Sequence, residues 1–274
     1  MGLKLEGLRD LVIRSISGLL YASLIISSAL YSDLSFIIVI FVFSSLALYE
    51  FQKLIQYKSP VPFILFGVIV FQFYSKRLNP YLHLILLGLC VFTNLILAYF
   101  LFTKRKIIML PIQKTAATLF YIVASGYFII TTSSLISKFE NGISITMYIL
   151  IWVNNSFAYL FGKQWGKNLL FNEISPKKTW EGFWGGALMC FLSSFFMTPY
   201  HPSYPVWTIP ILSILIVATC TTGDLIQSKF KRQAEVKDSG SLIPGHGGFY
   251  DRMDSVLYTA PFIFLILMII NYVS

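Results

Sequence analysis

Charged residues are scarce in this chain of 274 residues. They make up 12% of the sequence, whereas 56% is hydrophobic and the mean hydropathy is +0.72. A soluble domain carries about 25% charged residues, so this chain has too few of them to cover a globular surface. The deficit excludes an ordinary soluble protein and indicates that most side chains face lipid or one another.

Cysteines are also few, and each lies alone in an apolar run: Cys90, Cys190 and Cys220. No two have metal-ligand spacing, and three isolated cysteines do not make a disulfide framework. The first residues are charged and lead into an apolar run without a small-residue cleavage site. We therefore expect a retained first helix and not a removed signal peptide.

Long apolar runs are abundant. A membrane-spanning helix needs about 20 mostly apolar residues, and its backbone polar groups must be satisfied internally. The sequence predicts an all-α polytopic integral membrane protein with about nine transmembrane helices in a single domain, 1–274. The predicted spans are 14–32, 34–51, 60–75, 81–102, 116–137, 143–162, 182–199, 206–226 and 255–273.

Basic residues are distributed unevenly among the connecting loops. If the N-terminus lies inside, 18 of the 21 Lys and Arg residues lie on the inner side, and only Lys76, Arg77 and Lys138 lie outside. Inner loops of membrane proteins carry such an excess. The pattern predicts an inner N-terminus and an outer C-terminus, and it explains the net charge of +9 without a nucleic-acid partner.

Acidic residues are concentrated between the last two predicted spans, on the inner side. Asp224 lies near the end of an apolar helix, where an ionisable group is costly and indicates function. Asp251 and Asp254 share a face if they begin a helix. Such carboxylates suit Mg²⁺, which takes substrate phosphates as further ligands. The segment also contains Lys229, Lys231, Arg232, Lys237 and Arg252, which can bind phosphates.

A glycine-rich run, Pro-Gly-His-Gly-Gly at 244–248, lies between these acids. It lets backbone N–H groups approach an anion and leads into a helix start. Carboxylates, basic residues and a glycine loop together indicate metal-assisted phosphoryl or nucleotidyl transfer. The alternative is a basic loop that only sets topology, which explains the lysines but not the aspartates and glycines. A second polar segment, 162–186, is predicted on the same side, so the two segments can form one site.

The segment 228–254 reads Ser-x-x-Lys-Arg-x4-Lys-Asp-x-Gly-x3-Pro-Gly-His-Gly-Gly-x2-Asp-Arg-x-Asp. This run resembles the diagnostic pattern of phosphatidate cytidylyltransferases (CDP-diacylglycerol synthases). The preceding Gly223-Asp224 and the block 175–182 also resemble that family, so the resemblance covers roughly 150–260. One departure is Asn155, where the family usually has aspartate. Asparagine keeps an oxygen but loses the charge, which leaves a second-cation or base role there without support.

The resemblance implies transfer of the CMP moiety of CTP to phosphatidic acid, giving CDP-diacylglycerol and pyrophosphate. It implies CTP, phosphatidic acid and the bilayer as partners, Mg²⁺ as cofactor, and a homodimer, and it leaves a second, monovalent cation open. The enzyme would lie in the cell (plasma or inner) membrane with its site on the cytoplasmic side. Residues 143–273 would hold the catalytic helices and inner loops, whereas 1–140 would hold N-terminal helices of unassigned role.

The candidate site residues follow from the charge pattern and this resemblance. The predicted catalytic residues are Asp224, Lys237, Asp238, Asp251 and Arg252. The predicted metal ligands are Asp224 and Asp251, with Asp254 in support. The predicted substrate-binding residues are Lys177, Lys178, Ser228, Lys231, Arg232, His246, Gly247 and Gly248. Three alternatives stay open: a CTP-dependent polyprenol or phytol kinase, a membrane transporter, and an inactive homologue.

Overall fold

The structure, a computed structural model, describes residues 2–103, 105–132, 142–245 and 247–273. Within these ranges, the side chains of residues 2–12, 14, 15 and 273 are outside the description. The predicted site residue His246 and the predicted outer residue Lys138 therefore lie outside the described part of the chain.

Nine helices run through the described residues, one for each predicted apolar segment. They are α1 (Gly2–Tyr31), α2 (Asp33–Leu54), α3 (Val61–Tyr74), α4 (Pro80–Phe102), α5 (Pro111–Thr132), α6 (Gly142–Trp165), α7 (Trp180–Met197), α8 (Thr208–Gln233) and α9 (Tyr250–Val273). The seven residues Ala117–Val123 inside α5 form a π-helical segment. The prediction of an all-α fold is confirmed.

Six of these helices, α2, α4, α5, α6, α8 and α9, are long and apolar enough to cross a membrane. Two apolar helices are shorter, namely Ile16–Tyr31 within α1 and the 14-residue α3. The chain is therefore a multi-pass membrane protein. Nine crossings and an inner N-terminus remain predictions.

Helix α9 is the central helix of the bundle. It packs against α2, α4, α5, α6 and α8, and most of its side chains are buried around the whole circumference. A helix that is apolar all round belongs in the interior of a bundle. The first turns of α9 are consequently enclosed by other helices, and polar residues there, such as Asp254, are buried.

Helices α6 and α7 approach each other closely along a row of glycines. A Cβ atom on Gly182 would lie 2.6 Å from the carbonyl oxygen of Ala158, and one on Gly186 would lie 2.7 Å from that of Asn154. Only glycine permits such an approach of two backbones. The two helices are therefore in direct backbone contact at Gly182 and Gly186.

The segment between α6 and α7 contains a short β-hairpin that the sequence did not indicate. Strand β1 (Leu169–Phe171) pairs antiparallel with β2 (Ser175–Thr179). Thr179 then caps α7 by accepting a hydrogen bond from the Gly182 N–H. Pro176 lies in β2, and proline is tolerated in a strand where the missing N–H is not needed for pairing.

Candidate active site

Asp224 lies in the C-terminal half of α8 and pairs with a lysine of the hairpin. Helix α8 extends beyond the apolar run to Gln233, so Asp224, Ser228 and Lys231 share one face. The Asp224 carboxylate forms an ion pair with Lys178, and the Ser228 hydroxyl lies 3.5 Å from it. The hairpin thus brings the second polar segment into direct contact with the acidic one.

The hairpin is held in place by Glu181 at the start of α7. Its carboxylate accepts hydrogen bonds from the backbone N–H groups of Lys167 and Asn168 at 3.1 and 3.2 Å, and from the Asn168 side chain at 2.7 Å. Hydrogen bonds from its own backbone N–H and from Lys167 lower the pKa of Glu181 to about 2. The carboxylate is therefore ionised at neutral pH and keeps the hairpin base closed.

Asp251, in the first turn of α9, is surrounded by hydrogen-bond donors. Its Oδ1 accepts from Lys231 Nζ at 2.8 Å and Gln227 Nε2 at 2.6 Å. Its Oδ2 accepts from the Ser239 N–H at 2.8 Å, the Ser239 hydroxyl at 2.9 Å and the Gly248 N–H at 2.9 Å. These five contacts occupy both oxygens, so Asp251 joins α8 to the loop 234–249 in this structure.

Asp254 differs from Asp251 in its surroundings. Its residue exposure is 7%, and its Oδ1 accepts a hydrogen bond from the adjacent Ser255 N–H at 2.6 Å. Asp254 and Asp224 both line a cavity of about 370 Å³, which we call the carboxylate cavity. Its other lining residues include Asn155, Lys177, Lys178, Asp251 and Arg252.

Two further cavities adjoin the carboxylate cavity. The first, the glycine-loop cavity, has a volume of about 860 Å³ and is lined by Tyr159, Lys177, Lys237, Asp238, Gly240, Gly247 and Arg252, among others. The second, the α1–α6 cavity, has a volume of about 420 Å³ and is lined by residues that include Tyr21, Ile151, Trp152, Asn155, Asp254 and Val256. Arg252 lines all three cavities.

The predicted site residues divide into two groups. Asp224, Asp251, Asp254, Arg252, Lys177, Lys178, Lys237, Asp238 and Gly247 line at least one of the three cavities. Lys231 and Ser228 instead contact the carboxylates of Asp251 and Asp224. Arg232 Nε lies 3.4 Å from the Ile174 carbonyl oxygen of the hairpin, and Gly248 donates to Asp251.

The donor set fits Mg²⁺ only with help from substrate and water. Within the described residues, no three His, Cys, Asp or Glu side chains form a group that could hold a metal ion by themselves. Mg²⁺ is usually bound by one or two carboxylates, several waters and the phosphates of a substrate. Asp224 and Asp254, in one cavity with Lys177 and Lys178 beside them, match that requirement.

One residue at the site escaped the sequence analysis altogether. Glu50 of α2 has 2% exposure, and its carboxylate contacts the loop that leads into α9. The signal was present, because Glu50 is a lone acidic residue at the end of an apolar helix, and such a residue is a functional candidate.

Comparison with known proteins gives a consistent result. Residues 12–270 match the cytidylyltransferase family. The chain is 30% identical to the phosphatidate cytidylyltransferase of Bacillus subtilis (strain 168) over an alignment of 278 positions, which covers 96% of this chain and 99% of the relative.

Two staphylococcal phosphatidate cytidylyltransferases are also similar. That of Staphylococcus aureus (strain COL) is 30% identical over 208 residues, or 74% of this chain and 76% of the relative. That of Staphylococcus epidermidis (strain ATCC 12228) is 38% identical over 122 residues, or 44% of this chain and 47% of the relative.

Proposed function

Because this chain belongs to the cytidylyltransferase family, we propose that the carboxylate cavity is where it carries out its reaction. The chain is a phosphatidate cytidylyltransferase, which converts CTP and phosphatidate into CDP-diacylglycerol and pyrophosphate. The observation that carries the placement is the lining of the carboxylate cavity, where residues from α6, the hairpin, α8 and α9 meet. Carboxylates and lysines from distant segments converge there on one space.

The chemistry joins two anions. A phosphate oxygen of phosphatidate attacks the α-phosphorus of CTP, a new P–O bond forms, and the bond to the β-phosphate breaks to release pyrophosphate. Phosphatidate supplies the nucleophile, so no protein side chain has to form a covalent intermediate. The residues must instead hold two negatively charged groups together and stabilise the charge that develops on the transferred phosphorus. Lys177, Lys178 and Arg252 supply positive charge at the carboxylate cavity.

Asp224 and Asp254 would hold Mg²⁺. The sequence predicted Asp224 and Asp251 as the ligands, with Asp254 in support, but Asp251 already accepts five hydrogen bonds in this structure and lies beside them in the same cavity. The ion, when bound, neutralises phosphate charge and orients the triphosphate. Without it, Lys178 is the counter-charge of Asp224. Ser228 and Lys231 then act on the site indirectly, because each contacts a carboxylate of the cavity and fixes its position. Arg232 acts through the hairpin, whose Ile174 carbonyl it contacts.

CTP would occupy the glycine-loop cavity. Lys237 and Lys177 line it, and Gly247, whose φ is +86°, belongs to the loop that frames it. The two lysines can bind the phosphates of CTP through charge-assisted hydrogen bonds. The substrate-binding roles of His246 and Gly248 stay predictions from the family resemblance. Asp238, the predicted catalytic residue next to Lys237, also lines this cavity.

Phosphatidate would enter from the α1–α6 cavity. Its apolar lining, with Ile151, Trp152 and Val256, suits the glycerol and the first part of the acyl chains. Asn155 lies at the junction with the carboxylate cavity. The phosphate group would then meet CTP beside Arg252, which lines all three cavities.

The reaction itself is tested by the fate of labelled CTP. With purified protein and phosphatidate in mixed micelles, label on the α-phosphorus is expected in the lipid fraction, and label on the γ-phosphorus in pyrophosphate. Chelation of Mg²⁺ should abolish the formation of both labelled products. The substitution Lys177→Ala should raise the KM for CTP. γ-Label in the lipid would identify a lipid kinase instead, and full turnover without a divalent ion would contradict the Mg²⁺ assignment.

The proposed topology has nine crossings, with the N-terminus and all three cavities on the cytoplasmic side of the cell membrane. The 18 inner Lys and Arg residues support it, and so does the supply of CTP from the cytoplasm. Residues 1–274 would form one membrane domain, in which 143–273 carry the catalytic helices and inner loops. The homodimer stays a prediction of the family resemblance.

Cysteine labelling checks this orientation. The three native cysteines are buried, so the wild type should label weakly, and a background with all three changed to alanine should not label. In intact cells, a membrane-impermeant maleimide is expected to label Ser203→Cys, in the outer segment between α7 and α8, and to spare Lys237→Cys until the membrane is permeabilised. Labelling of Lys237→Cys in intact cells would reverse the orientation.

A further inference from the structure

Glu50 is a buried carboxylate of the N-terminal helices that contacts the loop 234–249, which we call the catalytic loop. It lies near the end of α2, with 2% exposure. Its Oε2 accepts hydrogen bonds from the Ser239 hydroxyl at 2.7 Å and the Tyr250 N–H at 2.9 Å, and its Oε1 accepts from the Phe249 N–H at 3.1 Å. All three donors lie about 190–200 residues further along the chain.

The charge of Glu50 is balanced by backbone and not by a cation. Glu50 takes no part in the ion pairs of Lys178 with Asp224 and of Lys231 with Asp251. Burying an uncompensated carboxylate is costly. Here the N–H groups at the start of α9 and the positive end of that helix offset part of the cost. Glu50 thus caps α9 from a different helix.

Two glycines of the catalytic loop lie so close to this carboxylate that they leave no room for a side chain. A Cβ atom on Gly240 would lie 2.3 Å from Glu50 Oε1, and its three nearest atoms would all belong to Glu50. A Cβ atom on Gly248 would lie 2.0 Å from Glu50 Oε2. Neither distance is sterically allowed, so any larger residue would displace the carboxylate or the loop. The close approach of the Glu50 carboxylate therefore favours glycine at both positions.

Glu50 and Asp251 together hold one short stretch of backbone. The consecutive N–H groups of residues 248, 249 and 250 donate to these two carboxylates. The Ser239 hydroxyl lies within hydrogen-bond distance of both. The loop between Ser239 and Gly248 is thereby fixed at both ends, and this loop lines the glycine-loop cavity through Gly240 and Gly247.

We propose that Glu50 is a positioning residue for CTP: it sets the shape of the glycine-loop cavity from the N-terminal half of the chain. This inference rests on the placement of CTP in that cavity. It also gives a function to α2, because the N-terminal helices then complete the site formed by the C-terminal ones. Glu50 itself does not line any of the three cavities described above.

Removing the charge should weaken CTP binding selectively. In Glu50→Gln the amide nitrogen would face backbone N–H donors, so at least one contact is lost and the loop relaxes. Small displacements of binding groups change catalysis by up to about 10²-fold. We expect the KM for CTP to rise roughly 10- to 100-fold, whereas the KM for phosphatidate changes little.

Gln52→Met is the matched control. Gln52 is also a buried polar residue of α2 with 5% exposure, but it donates to the Ser59 carbonyl at 3.1 Å and not to the catalytic loop. It should lower the melting temperature without changing the KM for CTP. An equal rise in KM in Gln52→Met would mean that Glu50 is merely structural.

A double-substitution cycle tests the contact itself. Gly240→Ala and Glu50→Ala should each raise the KM for CTP, but Gly240→Ala should add almost nothing in the Glu50→Ala background, because the obstructing carboxylate is gone. Additive effects would overturn the proposal. Lys237→Ala serves as the reference: if it leaves the KM for CTP unchanged, the placement of CTP is wrong. If it raises that KM while Glu50→Gln does not, only the role of Glu50 is wrong.

Discussion

Asp254→Asn and Asp224→Asn are each expected to lower turnover at least about 10³-fold, which corresponds to roughly 4 kcal/mol of transition-state stabilisation. The melting temperature should change little. The Asp224–Lys178 pair has side-chain exposures of 31% and 27% and contributes modestly to stability. Asp254 is buried, so loss of its charge removes a desolvation cost. Turnover and thermal unfolding of the purified variants measure both effects.

Asp33→Asn is the matched control for this pair of substitutions. Asp33 is an exposed acidic residue in the first turn of α2 and lines none of the three cavities. Its turnover should equal that of the wild type. If Asp224→Asn or Asp254→Asn retained turnover within tenfold of the wild type, the carboxylate replaced in that variant could not be an essential ligand.

Asp251→Asn should lower stability and turnover together. The side chains of Asp251 and Lys231 are 5% and 12% exposed. Breaking a buried pair from one side leaves the other charge uncompensated and costs roughly 3–5 kcal/mol. The amide would also turn N–H groups towards the donors that now contact the carboxylate. The melting temperature and the turnover of Asp251→Asn should therefore both fall, whereas in Asp224→Asn only the turnover should fall.

Asp251→Asn combined with Lys231→Met separates the two effects. Removing both charges relieves the uncompensated lysine, so much of the lost stability should return. Turnover should not return, because the loop before α9 still lacks its anchor. A stable double variant with wild-type turnover would show that Asp251 only balances Lys231. If the single variant Asp251→Asn had an unchanged melting temperature, the five hydrogen bonds of Asp251 would contribute little to stability.

The helical fold could be predicted because each apolar run is long and separated from the next by polar or proline-containing segments. The ends of the helices were less predictable. The predicted apolar span 206–226 covers only part of α8, which continues to Gln233. The added turns place Ser228 and Lys231 beside the carboxylates of Asp224 and Asp251. Helix α9 begins at Tyr250, before the predicted apolar span 255–273, and Glu50 caps it.

The candidate site was predictable in composition but not in its connections. The clustering of aspartates, lysines and glycines in 224–254 identified the segment, and the resemblance identified the reaction. Hydrogen bonds between distant residues leave no local pattern, so the contacts of Glu50 with residues 239–250 could not be read from the sequence. The hairpin was equally hidden, because a three-residue β1 is too short for a periodicity to appear.

The most direct test of the central claim is the binding of Mn²⁺, as a paramagnetic substitute for Mg²⁺, to purified protein in the presence of CTP, followed by electron paramagnetic resonance. We expect saturable binding to the wild type and at least about tenfold weaker binding to Asp224→Asn and Asp254→Asn. Asp33→Asn should bind like the wild type. Unchanged Mn²⁺ affinity in both cavity variants would contradict the assignment of the carboxylate cavity as the metal site.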